Sequence, residues 1–528
     1  MNNGNAWTAA MISVAMITLV GMVSHGYTEV HSSQGLSLIN YHVEGNTQRS
    51  AYPVEAMSHL YEGSMMFNQP THQSGEYYGA FALRATNDTL IDTTYSNITT
   101  LSVGYRNKSI DVIAGDYYAS LSEFSLNNAL KGVKVDLGVS SKIRLTALGG
   151  VNTPRWSDLW QKKDAQSPVS SSVWGMRCFV PAIIKALEVG INYAGSSDDR
   201  SFFSETQSYK DKQITSIDAK YTYHDVVWAK AEYAESTRLL FIDSVGNYTT
   251  ALGKAYKGFI EARHERYSAS GEYIYADENF ETTGGFASSD IESLRFNTMV
   301  KPYDTLTISN YLYSSRDNLY GHKETTSHRT NPGISVLFVC PYAVQTMMGY
   351  DHNQEYTDDR TSDQKTGTFN ADISKRFSFI NTALQYSRAQ IDNAVDPSRD
   401  SVRTGIALNL GGGVTVLHVP CQWSVVERRD VDANIQQGTD DILTMHSGSL
   451  MVMFPNELRT EARISLFDND YAANDNDGTQ YTYDFTIDKK IKESIVLAIE
   501  YRQATNQYFV ASNDYTEQRI AARVSAQF

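Results

Sequence analysis

Apolar and polar residues alternate with a period of two along most of this chain. Ile217, Ala219, Tyr221 and Tyr223 are separated by Asp218, Lys220 and Thr222. Tyr481, Tyr483, Phe485 and Ile487 are separated by Thr482, Asp484 and Thr486. Ile495, Leu497, Ile499 and Tyr501 repeat the pattern, with Glu500 and Arg502 between them. Side chains of a strand point alternately to its two faces, so each segment predicts a strand with one apolar and one charged face. In a soluble sandwich the apolar face would point inward. In a membrane barrel it points to lipid, and the polar face lines the lumen.

The connections separate the two cases. Tight turns are expected near Arg106-Lys108, Ser140-Lys142, His224-Asp225, Arg263-Arg266, Lys301-Asp304, Arg376-Ser378, Gly411-Gly413, Pro455-Glu457 and Lys489-Lys492. Longer polar connections fall between them, for example Ser196 to Lys212, Asp351 to Lys365, Arg428 to Asp441 and Asp468 to Gln480. Long and short connections are expected to alternate strictly, which is the asymmetry of short periplasmic turns and long external loops. The short turns carry Lys and Arg; the long loops are rich in Asp, Asn, Ser and Thr. The fold expected is an all-β, single transmembrane antiparallel up-and-down barrel of roughly 26 strands, with 22 to 26 as its range.

Composition alone reads as soluble, with 41% hydrophobic and 20% charged residues. The 34 tyrosines change that picture, because a ring with a polar tip suits the lipid–water boundary. Trp7 to Val23 is the only long apolar run and is followed by Ser24-His25-Gly26. Residues 1–26 therefore read as a signal peptide cleaved near Tyr27, and 27–528 as the barrel. An uncleaved anchor is the alternative, because no Lys or Arg precedes Trp7. A net charge of −15 argues against nucleic acid as a partner.

The chain ends Arg523-Val524-Ser525-Ala526-Gln527-Phe528, in mid-alternation on an aromatic. This ending resembles the C-terminal signal of Gram-negative outer-membrane barrels, and the resemblance implies recognition of Phe528 by the barrel-assembly machinery. The stretch from Tyr256 to Asn318, with Gly284-Gly285-Phe286, Asp290-Ile291-Glu292 and Arg316-Asp317-Asn318, also resembles large, porin-like bacterial outer-membrane barrels. So does Gly115-Asp116-Tyr117-Tyr118 through Leu130-Lys131-Gly132-Val133. The size is similar to that of the sheath barrels of electron conduits, but the Cys pair many of those carry near the mature N-terminus is missing. It also matches the lipopolysaccharide-inserting barrel, whose periplasmic domain has no counterpart. The resemblance implies a multi-pass location in the cell outer membrane, in contact with its lipid and lipopolysaccharide.

Candidate chemistry is sparse. Asp468, Asp470, Asp475 and Asp477 offer oxygens to a divalent cation but lack the closing Glu of an EF-hand loop, so a solvated loop is the simpler reading. Cys178, Cys340 and Cys421 have neither disulfide nor metal spacing and read as buried or lipid-facing. No Cys-x-x-Cys-His occurs, and the twelve histidines show no HExxH, so no cofactor is expected. No Gly-x-Ser-x-Gly elbow stands before a helix, and an enzyme is not expected. Trp156 and Trp160, four apart, predict a helical turn that plugs the mouth or anchors at the membrane interface.

The lumen is then the expected functional surface. Its candidate lining is Lys220, Lys230, Glu232, Lys257, Glu261, Arg263, Glu272, Arg295, Asp484, Glu500, Arg502 and Arg523. Mixed charge signs predict no sharp ion selectivity. No plug domain is visible, so long loops fold inward, the barrel flattens, or a partner fills it. The functions expected are a channel for a solute or polymer, a sheath for a periplasmic or lumen partner such as a multihaem cytochrome or secreted chain, or a scaffold that binds through its loops.

Overall fold

A computed structural model describes residues 29–528 except 72–73, 93–95, 154, 160–169, 185, 200–208, 225, 242–247, 285–287 and 472–476. The signal segment, Trp160, Asp475 and Gly285-Phe286 lie outside the described residues.

Twenty-six antiparallel strands follow one another and close on themselves. The first nine are β1 (Glu29–Gly45), β2 (Glu55–Pro70), β3 (Glu76–Thr86), β4 (Ser96–Arg106), β5 (Ile110–Ser122), β6 (Leu126–Ser140), β7 (Ile143–Asn152), β8 (Ser171–Ile184) and β9 (Leu187–Asp198). Next come β10 (Tyr209–Tyr223), β11 (Val227–Phe241), β12 (Tyr248–His264), β13 (Tyr267–Ala276), β14 (Ile291–Tyr303), β15 (Leu306–Arg316), β16 (Ser327–Cys340), β17 (Val344–Thr357) and β18 (Asp363–Arg376). The last are β19 (Ile380–Asn393), β20 (Ser401–Val416), β21 (Val419–Asn434), β22 (Thr439–Phe454), β23 (Leu458–Asp470), β24 (Gly478–Lys492), β25 (Ile495–Tyr508) and β26 (Tyr515–Gln527). β26 pairs with β1 from Ser33–Gln527 to Gly45–Tyr515, which removes both sheet edges. Ser32 and Phe528 exchange two backbone hydrogen bonds of 2.8 Å where the barrel closes.

The outward face carries the apolar side chains. On β12 it presents Tyr256, Gly258, Ile260 and Ala262. Just above, Lys254 meets Glu235 at 3.7 Å, and just below, His264 stacks on Tyr267 at 4.6 Å. Tyr256 stacks on Tyr275 at 4.7 Å at the upper boundary. Between Tyr256 and His264 the strand advances about 26 Å along its own axis, roughly 20 Å of height at the usual barrel tilt, which makes a lipid-facing band with aromatic edges. Cys178, Cys340 and Cys421 are half-buried, free, and outward by register.

Three expectations are corrected. Gly411-Gly413 is not a turn but lies within β20; the chain turns at Leu417-His418. Arg428 to Asp441 and Asp351 to Lys365 are mostly strand, with only 435–438 and 358–362 as connections. Strands of up to 17 residues outrun the bilayer, and beyond lipid their outer face has no reason to stay apolar. The alternation of long and short connections is also not strict. Between β5 and β6 an external connection has only three residues, 123–125.

Candidate functional site

That exception leads to the lumen. Ala234, Ala255 and Ala276 stand in direct cross-strand register on the inner face, with Ala194 opposite Ile214 nearby. All five are fully buried. A water-filled pore would leave them exposed, so something covers them.

The cover is the β5–β6 hairpin. β5 pairs with β4 only as far as Gly115–Ser102, and β6 pairs with β7 only as far as Lys131–Val151. Above these points the two strands stay paired with each other and leave the wall as a tongue. Gly115 has φ 107°, which a residue with a side chain rarely adopts. Gly132 faces it across the ladder. A β-carbon on either would collide with a backbone carbonyl, of Leu101 and of Gly149 respectively. The tongue crosses the interior. Leu121, Leu126 and Leu130 pack with Leu148, Val173 and Ala194. Phe124 packs on the alanine row and meets Phe280 edge-on at 5.5 Å.

Its polar groups are satisfied from the wall. Glu232 accepts the backbone N–H groups of Glu123 and Phe124 at 3.3 and 3.1 Å. Ser122 and Ser216 share a hydrogen bond of 2.9 Å. Arg177 donates to the Leu121 carbonyl and is held by Asp218, with contacts of 2.9 Å. Glu123 meets Lys230 at 2.8 Å and Lys257 at 3.0 Å, and Lys257 continues to Glu272 at 2.6 Å. Burial alone would raise the Glu123 carboxyl, but the two lysines hold it below the usual range. A half-buried charge network of this kind favours one docked position, because a shift leaves its ions without partners.

Other segments complete the cap. Asp116 accepts from the Leu101 N–H (2.6 Å), Lys131 (2.8 Å) and the Trp156 indole (2.7 Å). Trp156 precedes a short 3-10 turn, Ser157–Leu159, and thus docks on the root of the tongue. Arg155 reaches Asp92 at 3.2 Å. In the β13–β14 connection Glu281 meets Lys210 (3.1 Å), Lys212 (2.9 Å) and Arg238. Burial opposes ionisation there, yet the three cations bring this carboxyl down to about 2. A depressed folded pKa stabilises above the unfolded value and is lost as pH falls through the folded one. Relative to the unstructured rate at the same pH, hydrogen-exchange protection across 277–284 is therefore expected to stay high at pH 5, to fall between about pH 4 and pH 2, and to be low at neutral pH in Glu281→Gln.

From β15 round to β26 much of the inner face is different, although Ala498, Ala504 and Ala521 near the seam are buried, Ala521 in a cluster with Ile39 and Tyr41. Arg403–Asp432 (2.6 Å), Arg428–Asp430 (2.7 Å), Arg459–Glu461 (2.7 Å) and Arg519–Glu500 (3.4 Å) are partly exposed pairs. Pairs like these are worth about 0–1 kcal/mol each and mark a wet wall rather than a core.

The register puts Lys220, Lys230, Glu232, Lys257, Glu261, Arg263, Glu272 and Arg295 on the tongue's side of the inner face. Lys230, Glu232, Lys257 and Glu272 come together around Glu123. Lys220 sits 6.0 Å from the Trp228 ring, whose indole donates to Glu261 at 2.9 Å, and Glu261 also takes Arg263. Asp484 and Arg502 (3.7 Å), Glu500 and Arg523 lie on β24–β26, away from this cluster. Asp468 accepts from Thr479 and Asp477 from the Tyr471 N–H, while Asp470 ends β23. Sequence reasoning missed Glu123, Arg177, Asp218 and Glu281. One signal was present: between Gly115 and Gly132 the alternation reverses phase and puts Tyr117, Leu121 and Leu130 inward.

No family model matches the chain, and no curated protein matches its sequence. Solved structures are similar to its fold. A mutant ferric enterobactin receptor (PfeA) from Pseudomonas aeruginosa is 10% identical with TM-score 0.44, covering 94% of this chain and 80% of that one. The siderophore receptor PirA from Acinetobacter baumannii is 9% identical with TM-score 0.43, covering 95% and 80%. A bacterial polysaccharide outer membrane secretin is 9% identical with TM-score 0.29, covering 65% and 98%. The likeness is to a large barrel and goes no further.

Proposed function

We propose that this protein is a constricted channel that passes hydrophilic solutes across the outer membrane. The observation that carries the reading is the divided lumen: a tongue docked on the inner wall across β8–β13, and a largely polar, partly exposed wall from β15 to β23. A barrel of this strand number encloses more space than its own side chains can fill. A fixed internal hairpin narrows that space without a separate domain. It also takes room that a sheathed protein would need, which weighs against the sheath reading. Phe528, at the seam, is offered as the group read by the assembly machinery. Placing the external loops in the lipopolysaccharide layer belongs to the same reading.

The purified protein in planar bilayers is expected to give steady, ohmic conductance. Potassium-to-chloride permeability is expected within about a factor of three of unity, because both charge signs line the wet wall. No conductance, or a ratio beyond tenfold, would count against this reading.

A further inference from the structure

Two strands beyond the wall that the tongue covers, the inner face carries two aromatic rings. Tyr311 and Tyr313 on β15 are in register with Asn297 and Arg295 on β14, and with Gly333 and Asn331 on β16. Tyr311 lies flat over Gly333: a β-carbon there would overlap its ring atoms. One ring face therefore rests on backbone and the other is turned to the pore, with the residue 40% exposed. Tyr313 has the guanidinium groups of Arg295 and Arg329 at 5.6 and 5.9 Å from its ring centre. Such contacts hold the arginines beside the ring. Arg329 is further fixed by Glu355 at 3.2 Å and Asn353 at 3.1 Å. Arg295 is only loosely paired, 3.8 Å from a Glu272 that Lys257 already holds at 2.6 Å, and is 56% exposed.

We propose that Tyr311 and Tyr313, with Arg295 and Arg329, form a binding site for neutral oligosaccharides in the pore. A sugar ring presents a face of weakly polarised C–H groups, which suits the electron-rich face of a tyrosine. Its edge carries hydroxyls that both donate and accept, which suits arginine donors next to carboxylate and amide acceptors. The two tyrosines are about 7 Å apart along one strand face, so the arginines held at Tyr313 lie within reach of the hydroxyls of a sugar stacked on Tyr311. A small anion would use the arginines without the rings. An amphiphile would need a dry wall, whereas these rings are fenced by charged and amide groups. Tyr311 is the stacking platform; Tyr313 is a positioning residue for the two arginines.

This inference rests on the channel reading, so its test has two independent readouts. Isothermal titration of the detergent-solubilised protein with maltohexaose, cellohexaose and mannohexaose is expected to show millimolar binding of at least one. Tyr311→Leu is expected to weaken that binding about tenfold, the loss of roughly 1.4 kcal/mol of ring contact. Tyr311→Phe keeps the ring and is expected to stay within about twofold. Unchanged heat-modifiable gel migration shows that each variant is folded. No binding of any of the three sugars, or equal binding by Tyr311→Leu, overturns the site. In planar bilayers the bound sugar is expected to block the current reversibly. Sugar binding without any conductance would sink the channel reading and leave the site standing; conductance without sugar binding would do the reverse.

Discussion

Replacing residues 118–129 with a tight two-residue turn between the paired Tyr117 and Leu130 is expected to raise single-channel conductance about two- to fourfold. The tongue is an addition to the wall rather than part of it. Below Gly115 and Lys131 the β4–β5 and β6–β7 ladders are complete, so the shortened hairpin still closes the barrel. What disappears is the material that covers the inner wall across β8–β13. Leu121, Phe124 and Leu126 go, and Ala194, Ala234 and Ala255 become wetted. Lys230 and Lys257 lose Glu123, and Glu232 loses the two N–H groups it accepts. These groups then face water, which solvates them, so the cost is in rigidity more than in closure. Current noise is expected to grow along with the mean current. An unchanged conductance in a folded variant would mean that the tongue does not limit the pore.

Gly115→Val is expected to produce nearly the same open pore by a single substitution, and to lower the folding yield as well. Valine at φ 107° costs about 1–3 kcal/mol in backbone strain alone, and its β-carbon meets the Leu101 carbonyl. The strand can relieve both only by straightening, which swings the tongue off its seat. Gly132→Val attacks the same hinge from β6, where the collision is with the Gly149 carbonyl. Gly271→Ala is the control, because a β-carbon there meets only Ile260, at 3.8 Å. Limited proteolysis after detergent refolding should cut within 116–130 in the two hinge variants and spare the control. A Gly115→Val protein that refolds, resists protease and conducts like the parent would refute the hinge.

Much of the fold is legible in the sequence, for a simple reason. A strand between lipid and water has to alternate, and its outward residues have to be apolar over the bilayer's height. Tyr481 to Ile487 and Ile495 to Tyr501 obey this rule, and both lie in strands, β24 and β25. Polar stretches such as Arg428 to Asp441 were misjudged because the rule lapses above the membrane, while backbone pairing continues without regard to side-chain polarity.

By itself, then, the sequence determined the closed antiparallel barrel, its strand number to within roughly 22 to 26, and the faces of its charged residues, since all of these follow from local periodicity. It did not determine what occupies the lumen. Lys230, Glu232, Lys257 and Glu272 were readable as one polar face, but their convergence on Glu123 depends on a hairpin reaching across from β5, more than a hundred residues away in the chain. Nor could alternation tell that Tyr311 lies over Gly333 on the neighbouring strand. Such contacts depend on interstrand register and on the bend at Gly115, and only tertiary closure fixes both.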